Sequence, residues 1–202
     1  MASELVLLIL NQRWLHVFLV VNIMALMILP VLLRRRRLMV DIPSEVQILA
    51  VLFIFAALFL GEVLDYYGRF WWWDLLLHGT AGLLLGLLGF MIVYMLNEDR
   101  QVDMQMHPAF LALFAFSFSV ALGALWEVFE FAMDQIFGLN MQKTMLGDPS
   151  GLTDTMWDLI LDAAGAAIVS IAGWRYFRRT RTAYVDGWVR RFIARNPQLF
   201  GD

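Results

Sequence analysis

The sequence predicts an all-α, polytopic membrane protein. Of its 202 residues, 61% are hydrophobic and only 16% are charged, whereas soluble domains usually carry about 25% charged residues. The apolar residues form runs long enough to cross a hydrocarbon core, which takes about 20 residues in a helix. Five spans are predicted, over residues 14–33, 46–64, 74–96, 108–134 and 155–174.

Helix-start signals precede two of the predicted spans. Pro43 and Ser44 come directly before the second span, and Gln47 follows Ser44 by three residues, the pattern of a capped helix start. His107 and Pro108 open the fourth span, where proline suits the first turn of a helix.

The arginines indicate how the spans are oriented. They lie in alternate loops, after the first, third and fifth spans, and the positive-inside rule makes those loops cytoplasmic. The N-terminus is therefore predicted outside and the C-terminus in the cytoplasm. An aromatic belt at residues 66–73 is predicted at the outer interface. The arginines that carry this argument are Arg34, Arg35, Arg36, Arg37, Arg100, Arg175, Arg178, Arg179 and Arg181.

The last twenty residues have a different character from the spans. Trp188, Phe192 and Ile193 fall on one helical face, with Arg190 and Arg191 beside it. This pattern predicts an amphipathic helix in the cytoplasmic interface, although a solvated or partner-packed tail has the same pattern. We therefore expect one transmembrane domain over residues 1–182 and a cytoplasmic tail over 183–202.

Acidic residues at helical spacing interrupt three of the spans. A charge at bilayer depth costs about 2.5–3.5 kcal/mol, so such residues usually mark a functional site. Counting about 1.5 Å per residue from each span boundary brings all three groups to the outer leaflet. The groups are Asp74 with His78; Glu127 with Glu130 and Asp134; and Asp154 with Asp158 and Asp162.

Each acidic group shares a helix face with small residues. The stripe of Asp74 and His78 continues through Gly82 and Gly86, and that of Glu127 continues inward to Gly123. Small residues allow helices to approach closely. We therefore expect the three acidic faces to meet in one pocket that opens to the outer leaflet.

A divalent metal ion is the expected occupant of this pocket; the structural alternative is that the carboxyl groups are protonated or hydrogen-bonded among themselves and hold the helices together. His78, Glu127, Glu130 and Asp158 are the predicted ligands, and Asp74 is predicted to orient His78 or to join them. Oxygen-rich ligands with one imidazole favour Mg²⁺, Mn²⁺ or Ca²⁺, with Zn, Fe or a two-metal carboxylate site as alternatives. The chain has no cysteine, which excludes thiolate ligands.

Two further acids and one loop are assigned supporting roles. Asp162 and Asp154 are predicted to complete the metal shell or to act as catalytic base, although Asp154 and Asp134 could equally lie in a solvated funnel above the bilayer. The polar loop 138–153 is predicted to cover the pocket, with Gln142 and Lys143 facing an anionic substrate.

Three ordered motifs resemble the YjdF-like family of bacterial inner-membrane proteins. They are Trp73-Asp74-x-x-x-His78 with Gly82 and Gly86, Trp126-Glu127-x-x-Glu130 with Asp134, and Asp154-Thr155-Met156-x-Asp158 with Gly165, and the resemblance covers about residues 45–178. A more distant similarity, with several departures, is to VanZ-like proteins. The resemblance implies a bacterial or archaeal cell membrane and supplies no reaction.

Three functions are compatible with these features. The first is a metal-dependent hydrolase or transferase that acts on a lipid-linked or phosphorylated substrate. The second is an ion- or proton-coupled transporter, since acids within a membrane often carry ions. The third is an accessory subunit of a larger membrane complex, in which the metal only fixes the helices. The expected partners are membrane lipid and such a complex, and no nucleic acid.

Overall fold

A computed structural model of the chain describes residues 2–12, 44–98 and 106–179, with isolated positions 17, 20, 21, 23–25 and 28. The regular secondary structure of the described residues is helical and includes no strand; the one β-bridge among them, Met145 with Asp148, is isolated. The helices are α1 (Ala2–Leu10), α2 (Ser44–Ile54), a π-helical continuation of α2 (Phe55–Val63), α3 (Tyr66–Arg69), α4 (Trp73–Glu98), α5 (Pro108–Phe137) and α6 (Leu152–Arg179).

Four helical stretches in the described part are long and apolar enough to cross a membrane. They are Glu45–Val63, Trp73–Val93, Pro108–Phe137 and Leu152–Arg178, with mean hydropathies of 1.5 to 2.4. These four correspond to the second, third, fourth and fifth predicted spans. Only isolated positions of the first predicted span are described, and the arginines that follow it and the C-terminal amphipathic helix lie outside the described residues.

The described residues divide into two compact units. In the first unit, which ends at Trp73, α2 widens into a π-helix after Ile54, a change that no sequence signal predicted. Gly61 in this segment packs against the Tyr67 ring, which leaves no room for a side chain at that position. Among the aromatic residues that follow, Trp71 is 79% exposed and Trp72 is 42% exposed, which is compatible with the predicted aromatic belt at a membrane interface.

The second unit, from Asp74 onward, is a bundle of α4, α5 and α6. Its contacts fix the directions of the helices. Gly86 faces Ala166 and Phe90 stacks with Phe177, so α4 and α6 run parallel. Ser119 Oγ donates to the Gly82 carbonyl at 3.0 Å, and Gly89 meets Ala115, so α5 runs antiparallel to α4.

Glycines allow the backbones of α4 and α6 to touch. A side chain on Gly82 would collide with the backbone of Asp162, and one on Gly165 would collide with the carbonyl of Gly79. The glycine stripes predicted from the sequence are therefore the actual contact surface of this helix pair. The close approach places the acidic faces of the two helices next to each other.

The two ends of the bundle differ in chemistry. One end holds an apolar cluster in which Phe90, Val93, Leu111 and Ala115 are buried. The opposite end, near the C-terminus of α5 and the N-termini of α4 and α6, holds the acidic residues. The bundle thus has an apolar cluster at one end and a polar pocket at the other.

Candidate metal centre

His78 lies at the centre of the acidic group. Its Nε2 atom is 3.7 Å from Asp74 Oδ1, 3.7 Å from Glu127 Oε1 and 3.9 Å from Asp158 Oδ2. Its Nδ1 atom is 3.3 Å from Asp162 Oδ2. One imidazole therefore faces carboxylates from all three helices of the bundle, as the sequence predicted.

The carboxylates nearest His78 are buried and make few hydrogen bonds. Glu127 is 4% exposed and Asp158 is 0% exposed, and none of their four oxygens has a hydrogen-bond partner among the described residues. The Thr155 hydroxyl lies near Glu127, but its hydrogen bond is with Gln142, from which it accepts. A buried carboxylate without donors costs several kcal/mol, so each of these groups needs either a proton or a nearby cation.

The ligand atoms form two groups with the spacing of a metal site. One group is His78, Glu127 and Asp158, and the other is Asp74, Asp154 and Asp158, with the atoms of each group within 4.8 Å of one another. Metal–ligand bonds of about 2.0–2.6 Å place ligands on opposite sides of an ion about 4–5 Å apart. Each group could therefore surround one divalent ion with little movement.

Asp162 takes the position predicted for Asp74. The sequence suggested that Asp74 orients His78, but Asp74 faces Nε2, on the side of Glu127 and Asp158. Asp162 instead contacts Nδ1, where a carboxylate holds the tautomer that leaves Nε2 free to bind a metal. The other oxygen of Asp162, Oδ1, is buried and makes no hydrogen bond to any described residue.

Gly123 makes room for Asp162. A side chain at Gly123 would overlap the Asp162 carboxylate. The glycine on α5 therefore accommodates a carboxylate of α6, while Gly82 on α4 accommodates the same residue's backbone. The position of Asp162 depends on both neighbouring helices.

Glu130 is buried but lies outside both groups. It is 7% exposed, and its Oε1 accepts a hydrogen bond of 2.9 Å from Trp126 Nε1. The sequence did not assign Trp126 a role, although its spacing of four residues before Glu130 would have placed the two on one helix face. This predicted ligand therefore already has a protein partner.

The outer acids bind the loop between α5 and α6. Asp134 accepts hydrogen bonds from the backbone of Met141 and Gln142, at 2.7 and 2.9 Å, and Asp154 accepts one from the backbone of Lys143 at 2.6 Å. Asp154 is 2% exposed and belongs to the pocket, whereas Asp134 is only half-buried and serves the loop. The sequence could not separate these two roles.

The loop itself is well ordered by local bonds. Gln142 Nε2 donates to Thr155 Oγ1 at 2.7 Å, and Asp148 accepts from the backbone of Ser150 and Thr153. These hydrogen bonds, with Ser150 the largest contributor, hold the pKa of Asp148 well below its usual range. The Lys143 ammonium donates to the Asn140 carbonyl. The sequence predicted the loop but not this set of anchors.

Comparisons with known proteins agree with a membrane protein. A protein of Thermotoga maritima, described as an uncharacterized protein, is 31% identical over 126 residues, which are 62% of this chain and 59% of the relative. The chain thus spans less than two thirds of that relative's length. No solved structure matches. The family described as predicted membrane protein, DUF2238, matches residues 1–179, nearly the whole sequence, and the chain belongs to this family.

Proposed function

We propose that this protein binds a divalent cation between α4, α5 and α6 and uses it to act on a phosphorylated, lipid-linked substrate. Glu127, Asp158 and His78 would hold the ion, with Mg²⁺, Mn²⁺ or Ca²⁺ preferred over Zn²⁺ or Fe²⁺ because oxygen ligands outnumber nitrogen. The reaction would be hydrolysis or transfer of a phosphate group.

One observation carries the proposal. Asp158 is 0% exposed, neither of its oxygens has a hydrogen bond to a described residue, and one of them lies within 4.8 Å of ligand atoms of His78 on α4 and Glu127 on α5. Protonated carboxyl groups would donate to one another or to nearby carbonyls. Carboxylates that surround a shared space without donating or accepting hydrogen bonds are better explained by a bound cation.

The chemistry follows from the charge of such an ion. A divalent cation binds phosphate oxygens and lowers the pKa of bound water. Water would add to phosphorus, the bond from phosphorus to the leaving oxygen would break, and the water proton would pass through a carboxylate to that oxygen. Asp154 and Asp162 are the two candidates for this carboxylate. Asp154 belongs to the group with Asp74 and Asp158 and accepts from the Lys143 backbone, whereas Asp162 Oδ1 is buried and makes no hydrogen bond to any described residue.

The pocket is proposed to open to the outer leaflet of a bacterial or archaeal cell membrane. Five spans, an outside N-terminus and a cytoplasmic C-terminus would place loop 138–151 outside. The cysteine-free chain allows a direct test with single cysteines. In intact cells a membrane-impermeant maleimide should label Leu139→Cys and leave Arg178→Cys unlabelled; the reverse pattern would place the pocket at the cytoplasmic leaflet.

Elemental analysis tests the metal. Protein purified in detergent without chelator should contain a divalent metal in at least equimolar amount, and the double variant Glu127→Gln with Asp158→Asn should lose it. Glu62→Gln, an exposed acid in the other unit, is the matched control and should retain the metal. A metal-free wild type that also fails to take up added Mn²⁺ would rule the proposal out.

Phosphate release tests the reaction. Purified protein in vesicles would be given farnesyl diphosphate or dioleoyl phosphatidic acid, with Mg²⁺ or Mn²⁺ present. We expect release of inorganic phosphate that stops with chelator and in the Glu127→Gln, Asp158→Asn variant. Metal binding without turnover on either lipid would instead favour the role of a structural ion in a larger membrane complex.

Transport receives less support from this unit. The buried cluster of Phe90, Val93 and Leu111 fills the bundle on the side away from the acids. An ion path along α4 and α5 would have to cross that apolar cluster. Lack of ion-dependent flux in proteoliposomes would agree with the enzyme proposal, and robust flux would contradict it.

A further inference from the structure

We propose that the pocket is built for two divalent cations and that Asp158 bridges them. One ion would be held by His78 and Glu127, and the other by Asp74 and Asp154, with Asp158 common to both. This inference rests on the proposed function, since it adds a second ion to the same site.

The shared residue is the first reason. The two groups of ligand atoms, each within 4.8 Å, overlap only at Asp158. A carboxylate can bridge two ions with its two oxygens, and both oxygens of Asp158 lack a hydrogen bond to the described residues. A single ion could bind to one group of ligand atoms, and the other group would then hold no ion.

The distance between the groups is the second reason. His78 Nε2, of the first group, is only 3.7 Å from Asp74 Oδ1, of the second. Ions bound to the two groups would therefore be close neighbours. Two-metal sites that clamp a phosphate group hold their ions about 3.5–4 Å apart, which is compatible with this spacing.

Charge is the third reason. Five carboxylates are buried in the pocket and Asp74 lies at its edge, with His78 as the imidazole among them. One divalent ion would neutralise two of these six carboxylates. Two ions would neutralise four and leave two, Glu130 with its Trp126 donor and Asp162 beside His78 Nδ1. Uncompensated buried charge is costly, so the second ion stabilises the site.

The second group also connects the ions to the loop. Asp154 uses Oδ2 to accept the Lys143 backbone N–H, and it offers a ligand atom to the group with Asp74 and Asp158. An ion held there would be linked through the Asp154 carboxylate to the backbone of Lys143. A phosphate group bound across both ions would then meet the Gln142–Lys143 segment, which makes phosphate esters the substrate class that the site suits.

Metal stoichiometry and electron paramagnetic resonance test the second ion. Wild-type protein would be stripped, loaded with Mn²⁺ and freed of excess metal in the detergent-solubilised full chain. We expect about two Mn²⁺ per chain and the spectrum of an exchange-coupled pair. Asp74→Asn should halve the metal content and turn the spectrum into that of isolated Mn²⁺, while Glu62→Gln should change neither.

The outcomes separate the two proposals. One Mn²⁺ per chain in the wild type, unchanged by Asp74→Asn, overturns the second ion and leaves the proposed function in place. No bound Mn²⁺ overturns both. Two Mn²⁺ ions without exchange coupling overturn the Asp158 bridge. Because Asn keeps the volume of Asp, Asp154→Asn provides a second variant from the same group, and it too should lose one ion and the coupling.

Discussion

Asp162 Oδ2 lies 3.3 Å from Nδ1 of His78, on the opposite side of the ring from Glu127 and Asp158. The contact joins α4 to α6 at the point where Gly82 and Gly123 admit the backbone and the carboxylate of Asp162. An aspartate on one ring nitrogen leaves the other for a metal, and such partners commonly change metal affinity by about 10–100-fold.

Removal of this carboxylate should therefore weaken metal binding without removing a ligand. We expect Asp162→Ala to lower Mn²⁺ affinity by about 10–100-fold. Asp162→Asn should lose less, because its amide oxygen can still accept from Nδ1. Titration of Mn²⁺ into stripped protein measures both. Equal affinity in wild type and Asp162→Ala would show that His78 is not positioned by this contact.

Substitutions of three glycines should separate packing from binding. Gly82→Ala would collide with the Asp162 backbone and should destabilise the bundle by about 1–3 kcal/mol. Gly123→Ala would displace only the Asp162 side chain. It should therefore lower the Mn²⁺ affinity and have a smaller effect on the free energy of unfolding. Gly79→Ala, with open space around its Cβ, is the control. Unfolding in mixed detergent and Mn²⁺ titration measure the two effects; similar results for all three would contradict the packing described.

The two glutamates of α5 should behave differently. Glu127→Gln removes a ligand and should abolish binding at its ion, whereas Glu130→Gln leaves a side chain that Trp126 Nε1 can still reach. We expect the Mn²⁺ affinity of Glu130→Gln to stay within about threefold of that of the wild type, which is a loss of binding free energy below 1 kcal/mol. Elemental analysis of the pair decides this, and a metal-free Glu130→Gln protein would return Glu130 to the ligand set.

The loop should respond to Asp134 independently of the metal. Asp134→Asn exchanges a charged acceptor of the Met141 and Gln142 N–H groups for a weaker one. Hydrogen exchange at these amides should become faster, while metal content stays at the wild-type level. If metal is lost together with protection, Asp134 belongs to the pocket and not only to the loop.

The sequence predicted the helices and the pocket for physical reasons that need no tertiary information. Apolar runs fix four candidate spans, and the spacing of four residues in Asp74–His78 and in Asp154–Asp158–Asp162 puts each set on one helix face. Glycines on those faces indicated which surfaces would touch. These local signals were enough to bring His78, Glu127 and Asp158 together.

The roles within the pocket depended on detail that the sequence does not contain. Asp162 contacts Nδ1 of His78, and its backbone packs against Gly82; helical spacing alone does not show which ring nitrogen it meets. The loop between α5 and α6 donates backbone hydrogen bonds to both Asp134 and Asp154, and its course determines which of the two carboxylates faces the pocket. Likewise, no sequence signal that we used distinguishes the π-helix at Phe55–Val63 from the α-helix before it.

Anomalous scattering from Mn²⁺-loaded crystals is the most direct test of the metal centre. The account predicts a strong peak between His78 Nε2, Glu127 and Asp158, at bond lengths of about 2.1–2.3 Å, and a second peak beside Asp74 and Asp154. Absence of any peak, with Glu127 and Asp158 hydrogen-bonded to each other or to water, would contradict it.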